Sequence, residues 1–498
     1  MNKNYEKLQE YIEKSIAMSS ALAIFEWDNE TLAPESAIEN TSKIMGILAK
    51  ENHKALINDD VKALLATLEQ EEDLTLTERK TVEKLKKEYE QLNAVTAEEY
   101  QEYNELTAKS ANAWAKAKEQ NDFKVFAPFL EKIIAFNKKM AANRSKDEGS
   151  IYNVLLDDFE EGFTTDVLDK FFEELKEGIL PLANKIKNKE DSINFDFLRK
   201  DYDIEKQKEF NRFLAEYVGF DFSNGVIAES EHPFTTNWHN HDVRITTHYY
   251  KNMPESAIFS TIHEAGHALY EMNVADKYTM TMLAGGTSMG VHESQSRFME
   301  NFIGRSEAFW KPIYSKLQET FPENLEDVEL SDFMKAVNRV EHGFIRTEAD
   351  ELTYSIHVII RYEIEKMFME GDVNIDELPQ IWNDKYEEYL GIKPENVSEG
   401  ILQDIHWSQG SIGYFPSYAL GSAFAAQFFH KMQEEIDVEE ALLDGDVAKI
   451  TTWLKENIHQ YGSSKNAKEL LKDVTGEELN TKYYIDYLTE KYSKLYEL

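Results

Sequence analysis

The chain has 498 residues, with 54 Lys and Arg against 93 Asp and Glu, a formal net charge of −39 at pH 7. Gripping phosphates requires an excess of Lys and Arg, and a surface this acidic repels nucleic acid and anionic lipid, so those partners are excluded. With 42% hydrophobic and 12% aromatic residues the chain can bury a large core and is expected to be globular.

In chain order, apolar residues spaced three and four apart among Glu and Lys predict helices over 5–25, 78–92, 97–120, 126–143, 165–187, 204–217, 332–339, 349–370 and 467–471. The exception is 242–250, DVRITTHYY, where β-branched and aromatic residues crowd together behind the turn-rich HPFTTNWHNH. It predicts a small hairpin or sheet inside a mostly α protein. Length alone suggests three domains. No Gly/Ser spacer, low-complexity linker or fixed-period repeat interrupts the chain, so a single unit over 1–498 is expected, with two lobes about a cleft.

No cysteine occurs, which excludes a disulfide framework, a thiolate nucleophile and Cys-ligated metal; any metal would be held by His and carboxylate. The opening MNKNYEKLQEYIEKS is charged from the start and has no apolar signal core. The longest weakly polar stretch, 419–429, falls far short of the ~20 residues that span a bilayer. A cytoplasmic protein with no membrane partner is expected.

Histidine localises the chemistry. Seven of the 13 (His232, His239, His241, His248, His263, His267 and His292) lie between 232 and 292, where an even spread would place about 1.6. Within this stretch His263, Glu264, Ala265, Gly266 and His267 follow a helix start near Pro254 and precede an end near Asn273. Helical positions i and i+4 differ by about 40° around the axis and ~6 Å along it, so both imidazoles face one ion. Glu264 stands beside that face as a base for water, the H-E-x-x-H arrangement of zinc proteases. The plainer reading is two histidines filling polar gaps on a core helix.

A catalytic ion needs a third protein ligand and one open position. Glu293, 26 residues after His267 and beyond a turn bearing Gly285, Gly286 and Gly290, is the expected ligand. Glu271 and Glu300 are alternatives. Glu271 shares the helix of His267, however, and one helix cannot close a tetrahedral site, so a second helix is required.

Only ten of the 54 basic residues are Arg, so Arg244, Arg297 and Arg346 are candidates for bidentate carboxylate contacts. Structural pairing with Asp242, Glu300 and Asp350 is the plainer reading, of equal weight for Arg244. A last cluster, GILQDIHWSQGSIGYFPSY from Gly400, gathers Gln403, Asp404, His406, Trp407 and Tyr414. His406 and Tyr414 could donate to the oxyanion of a tetrahedral intermediate; a buried turn with satisfied polar groups is the alternative.

Taken together, these segments resemble the M32 family of metallocarboxypeptidases, the carboxypeptidase Taq family. HPF at 232–234, DVRITT at 242–247, HEAGH at 263–267, HESQS at 292–296, IRTEAD at 345–350 and GILQDIHW at 400–407 occur in the family's order, and WDNETLAP at 27–34 is similar to its opening region. The resemblance implies a mostly helical, two-lobed fold with a deep groove, like neurolysin and angiotensin-converting enzymes, with an N-terminal lid over about 1–120, substrate and metal motifs over 232–414, and a homodimer. It implies release of C-terminal amino acids, with broad specificity, from peptides that carry a free C-terminal carboxylate. It also implies one zinc ion, or cobalt, per chain. Carried over by motif, His263, His267 and Glu293 are metal ligands, Glu264 is the general base, and Arg346 anchors the substrate carboxylate with Gln403 and His406 nearby. Arg244 is a further substrate-binding candidate, and Tyr414 matches a transition-state tyrosine more loosely. An oligoendopeptidase or dipeptidase on the same fold is the alternative. A non-enzymatic protein with a structural metal is the third reading, and Glu264 argues against it.

Overall fold

Helices begin where the sequence supplies a cap. Thr75 and Thr96 each form a capping box with the glutamate three residues on, Glu78 and Glu99, and open the Leu76–Leu92 and Ala97–Gln120 helices. Asp203 accepts from Lys206 N to open Ile204–Tyr217, and Asn466 with Glu469 opens Ala467–Thr475. A computed structural model defines the fold and describes residues 2–145, 149–371 and 373–498. Among the described residues the chain is mostly α with one small sheet.

The expected helices form, with ends moved by a few residues. The 5–25 pattern extends to Lys3–Thr31, and 332–339 is realised as Leu330–Val337. The 349–370 helix starts at Glu351, because Asp350 turns its carboxylate onto the amides of Leu352 and Thr353 and is the cap itself. Ile38–Leu56, Asp59–Leu68 and Pro416–Glu435 are further helices that the periodicity does not single out. The last has Ala, Gly, Ser and Phe on all sides and is buried through most of its length, so it carries no polar face to mark a period.

Two compact units share the chain in alternating segments: Met1–Asn93, Asn194–Val337 and Phe428–Gly476 form one, Ala94–Ile193, Asn338–Gln427 and Glu477–Leu498 the other. The first contains the sheet. β1 (Gly225–Glu229) runs parallel to β3 (Asp242–Thr247), and β2 (Thr235–His239) pairs antiparallel with β3, which makes the order β1-β3-β2. Val243 and Ile245 of β3 alternate onto one face and pack with Ala215, Phe220 and Ala268, fixing the sheet against the helices Ile204–Tyr217 and Pro254–Met272. Burying two β-branched side chains of this size contributes roughly 1.5–3 kcal/mol each.

In the second unit the Glu351–Glu370 helix is enclosed on nearly every side, with Arg361 and Glu365 fully buried among Ile, Val and Tyr. A helix with apolar residues all round belongs in a core, and the two charged side chains inside it need partners there. Among the described residues no helix is long and apolar enough to cross a membrane.

Candidate active site

The Pro254–Met272 helix starts on a proline at its first turn and ends with Asn273 as cap. His263 and His267, one turn apart, have ring centroids 5.0 Å apart. The next helix, Met289–Arg297, comes close because Gly266 has no side chain: a Cβ there would lie 2.5 Å from Gln295 O and 2.8 Å from Ser296 Cα. That approach brings Glu293 to the histidines. Glu293 Oε2 lies 3.6 Å from each Nε2, and one ligand atom from each of the three residues falls within 4.8 Å of the others.

The remaining edges of these ligands are tied back. His263 Nδ1 lies 2.9 Å from Glu300 Oε2, and Glu300 stands on the π-helical continuation Phe298–Gly304, where Arg305 Nη2 donates to its other oxygen at 3.0 Å. His267 Nδ1 faces His292 Nδ1 at 2.7 Å, and His292 Nε2 reaches Glu271 Oε1 at 2.7 Å. The direction of this chain follows from its end. Glu271 is an acceptor, so His292 donates from Nε2 and accepts at Nδ1, and His267 donates from Nδ1. Both ligand imidazoles therefore keep the Nε2 lone pair for an ion. Glu271 also accepts from Gly286 N at 2.9 Å and Asn237 Nδ2 at 2.8 Å, which ties the relay to β2.

Glu293 is held at both oxygens: Arg297 Nε donates to Oε1 at 2.7 Å and Ser296 Oγ to Oε2 at 3.1 Å. Burial pushes its carboxyl up, but Arg297 and the two histidines outweigh burial and hold it well below the usual range. Glu264 differs. Thr235 Oγ1 on β2 donates to its Oε2 at 2.5 Å, and burial, only partly offset by His263 and Thr235, raises its pKa above the usual carboxylate range. Burial pushes His267 down to about 4, whereas at His263 burial is outweighed by the nearby Glu293 and Glu300, which raise the imidazole. Two Nε2 atoms and a carboxylate oxygen, each anchored from behind and converging on one point, fit a divalent ion with open coordination.

Arg346, Gln403, His406 and Tyr414 lie in the second unit. Arg346 is buried, with Nε and Nη2 on Asp404 Oδ1 at 3.1 and 2.9 Å and Nη1 on Tyr354 Oη at 3.0 Å. Its carboxylate partner is thus Asp404 of the GILQDIHW segment and not Asp350, which caps a helix. Arg361 Nε donates to Asp404 Oδ2 at 2.6 Å and its Nη2 to Gln403 Oε1 at 2.7 Å. Gln403 Oε1 also receives the Arg346 backbone N–H at 2.9 Å, while its Nε2 donates to Phe344 O at 3.0 Å. Asp404 is pushed up by burial but held well below the usual range by Arg361 and then Arg346.

His406 Nε2 meets Tyr418 Oη at 3.2 Å, and burial pushes its pKa down to about 4. The Tyr414 ring lies 5.4 Å from His406 and edge-on to Phe159 at 5.3 Å. Arg244, in the first unit, grips Asp242 with Nε at 2.9 Å and Nη2 at 3.1 Å, and its guanidinium lies 4.3 Å from the Trp238 ring and 5.6 Å from Trp27. Arg297 serves Glu293 and, at 3.4 Å, Glu300.

Several residues of these clusters escape sequence reasoning. Glu300 and Glu271 stand out in the sequence only as possible ligands, and His292 only as one of a histidine group. Arg361 carries a usable signal, since it is one of only ten arginines, but the apolar HVIIRYEIEK around it reads as plain core. Thr235 and Tyr418 carry none.

An H-E-x-x-H helix with a third candidate ligand, a carboxylate, on the next helix is the arrangement of a metallopeptidase of the two-histidine, one-glutamate kind. The chain belongs to the carboxypeptidase Taq (M32) metallopeptidase family, whose pattern matches residues 7–492. It is 45% identical over 480 residues to carboxypeptidase 1 of Bacillus subtilis (strain 168), covering 96% of each chain, and 38% identical over 479 residues to thermostable carboxypeptidase 1 of Pyrococcus furiosus, again 96% of each. Its structure is similar to that of the M32 carboxypeptidase from Deinococcus radiodurans R1, with a TM-score of 0.97 and 33% identity over 100% of both chains. The protein is accordingly a metal-dependent carboxypeptidase, a hydrolase of peptide bonds.

Proposed function

We propose that the protein releases C-terminal amino acids of varied kind from peptides by attack of an activated water, with Glu264 as general base and Arg346 as anchor for the terminal carboxylate. A divalent ion held by His263, His267 and Glu293, zinc in preference to cobalt, supplies Lewis acidity for the scissile carbonyl and the water when bound. Glu264 accepts the water proton and later delivers it to the leaving amine. His406 and the Tyr414 hydroxyl stabilise the oxyanion, Gln403, which accepts the Arg346 backbone N–H, lies with it in the substrate-binding site, and Arg244 contacts substrate beside its Asp242 pair.

The observation that carries the anchor assignment is the charge of its surroundings. Arg346 and Arg361 share Asp404, the one carboxylate hydrogen-bonded to either guanidinium among the described residues. His406 and His357, both depressed by burial, add no cation at neutral pH. Glu365 is the further carboxylate beside Arg361, whereas Arg346 has Asp404 alone among the described carboxylates, and a peptide's free terminus is an anion that Arg346 can receive. Residues 1–498 act as one catalytic domain with helices to about 120 as lid, and the enzyme works as a cytoplasmic homodimer.

Amidating the C-terminus of a good peptide substrate should slow cleavage sharply. Arg346→Ala should be slow on the free acid, by ~2–5 kcal/mol or roughly 30-fold to several thousand-fold in kcat/KM, and gain little further penalty from the amide. A variant with general damage would lose both substrates in proportion. If the wild type cleaves amide and acid equally, or releases internal fragments first in timed mass spectrometry, an oligoendopeptidase replaces this reading.

A further inference from the structure

Glu365 lies fully buried in the Glu351–Glu370 helix, and the reaction scheme above gives it no part. Three donors from two other stretches of chain converge on its carboxylate. Trp407 Nε1 donates to Oε1 at 2.7 Å, while Tyr152 Oη at 2.6 Å and Gly413 N at 2.8 Å donate to Oε2. Trp407 immediately follows His406, and Gly413 immediately precedes Tyr414. One carboxylate thus grips the 407–413 loop at both ends, each grip one residue from a proposed oxyanion donor.

The helix Tyr152–Phe159 reinforces the same hold. Tyr152 meets Glu365, Leu155 packs against Gly413, and Phe159 meets the Tyr414 ring edge-on. Gly413 has a φ of +98°, and a Cβ on it would lie 2.9 Å from Leu155 O, so the backbone there has neither the conformation nor the room for another residue. Burial pushes the Glu365 carboxyl up to about 7 against the pull of its donors. All three partners donate, so the place is built for an acceptor. An apolar side chain in its place would leave three buried donors unpaired.

We propose that Glu365 is a positioning residue that sets the separation of His406 and Tyr414 for oxyanion stabilisation. The inference rests on the catalytic roles proposed for those two residues. A glutamine has the same shape but places an N–H₂ against donors, so it releases one end of the loop. A displacement of ~1 Å at a catalytic group costs up to ~10²-fold.

The test is steady-state kinetics of the metal-loaded enzyme on one peptide. Glu365→Gln should lower kcat by ~10- to 100-fold with KM within ~threefold, because the loss falls on the transition state. In a His406→Ala/Tyr414→Phe background the same substitution should cost kcat nothing further. Trp407→Phe removes one donor and keeps a ring, and should reproduce both results if Glu365→Gln does not fold. Unchanged kcat in the folded variants, or an equal loss in the two backgrounds, overturns the positioning role while leaving the reaction scheme standing. If His406→Ala and Tyr414→Phe each retain wild-type kcat, the oxyanion assignment falls and takes this inference with it.

Discussion

Glu264 and Glu293 are buried carboxylates of one site whose roles are parted by their neighbours. Glu293 has an Arg on one oxygen and a Ser on the other, so it is fixed and ionised. Glu264 has one threonine hydroxyl and can turn toward a water. Glu264→Gln should keep the metal while kcat falls by ~10²–10⁴, the usual loss of acid–base catalysis. His292→Ala should do the reverse in kind: it touches no ion but leaves His267 Nδ1 without its acceptor, so metal affinity should drop by ~10- to 100-fold. Chelator competition followed by elemental analysis reads both. Metal lost from Glu264→Gln, or retained at full affinity in His292→Ala, would show the division to be wrong.

Between elements, the decisive contact is the crossing of Pro254–Met272 and Met289–Arg297 at Gly266. Helix propensity alone favours Ala over Gly by ~1 kcal/mol. At Gly266 the added methyl meets backbone and not the end of a flexible side chain, so the two helices must separate. Gly266→Ala should destabilise the protein by roughly 1–3 kcal/mol and weaken metal retention as Glu293 moves off. Gly46, in the helix Ile38–Leu56, is the opposite case: a Cβ added there would meet nothing within 4 Å, so Gly46→Ala should raise stability by about 0.5–1 kcal/mol. Thermal unfolding of the pair checks the opposite signs; equal shifts would mean that the crossing is not tight.

At the scale of the whole molecule, a net charge of −39 surrounds a catalytic apparatus built to receive peptides. Such a field raises the local concentration of cationic substrates and is screened by salt, with a Debye length of ~30 Å at 0.01 M and ~3 Å at 1 M. A peptide carrying two added lysines should lose several-fold more kcat/KM than its neutral counterpart when salt is raised from about 20 to about 500 mM. Equal salt dependence of the two peptides would show that the global charge does not reach the reaction. The screened quantity is encounter, so the difference should lie in kcat/KM and not in kcat.

Sequence by itself determined the mostly helical class, the strand at DVRITT and the family, and it singled out the candidate metal trio His263, His267 and Glu293 with Glu264 beside it. These follow from patterns within one helix or from short motifs, where spacing along the chain is spacing in space. Helices without a polar face, such as Pro416–Glu435, are legible only as apolar runs. Tertiary structure decided which polar residue serves which. Arg346 pairs with Asp404 across 58 residues and not with nearby Asp350, Arg244 meets Asp242, and Glu300 and His292 meet the Nδ1 edges of His263 and His267, with Glu271 behind His292. Glu365 is invisible without the loop that folds onto it. A buried charge has to find its partner wherever the fold brings one, and that proximity is set by the packing of whole helices, which no local pattern records.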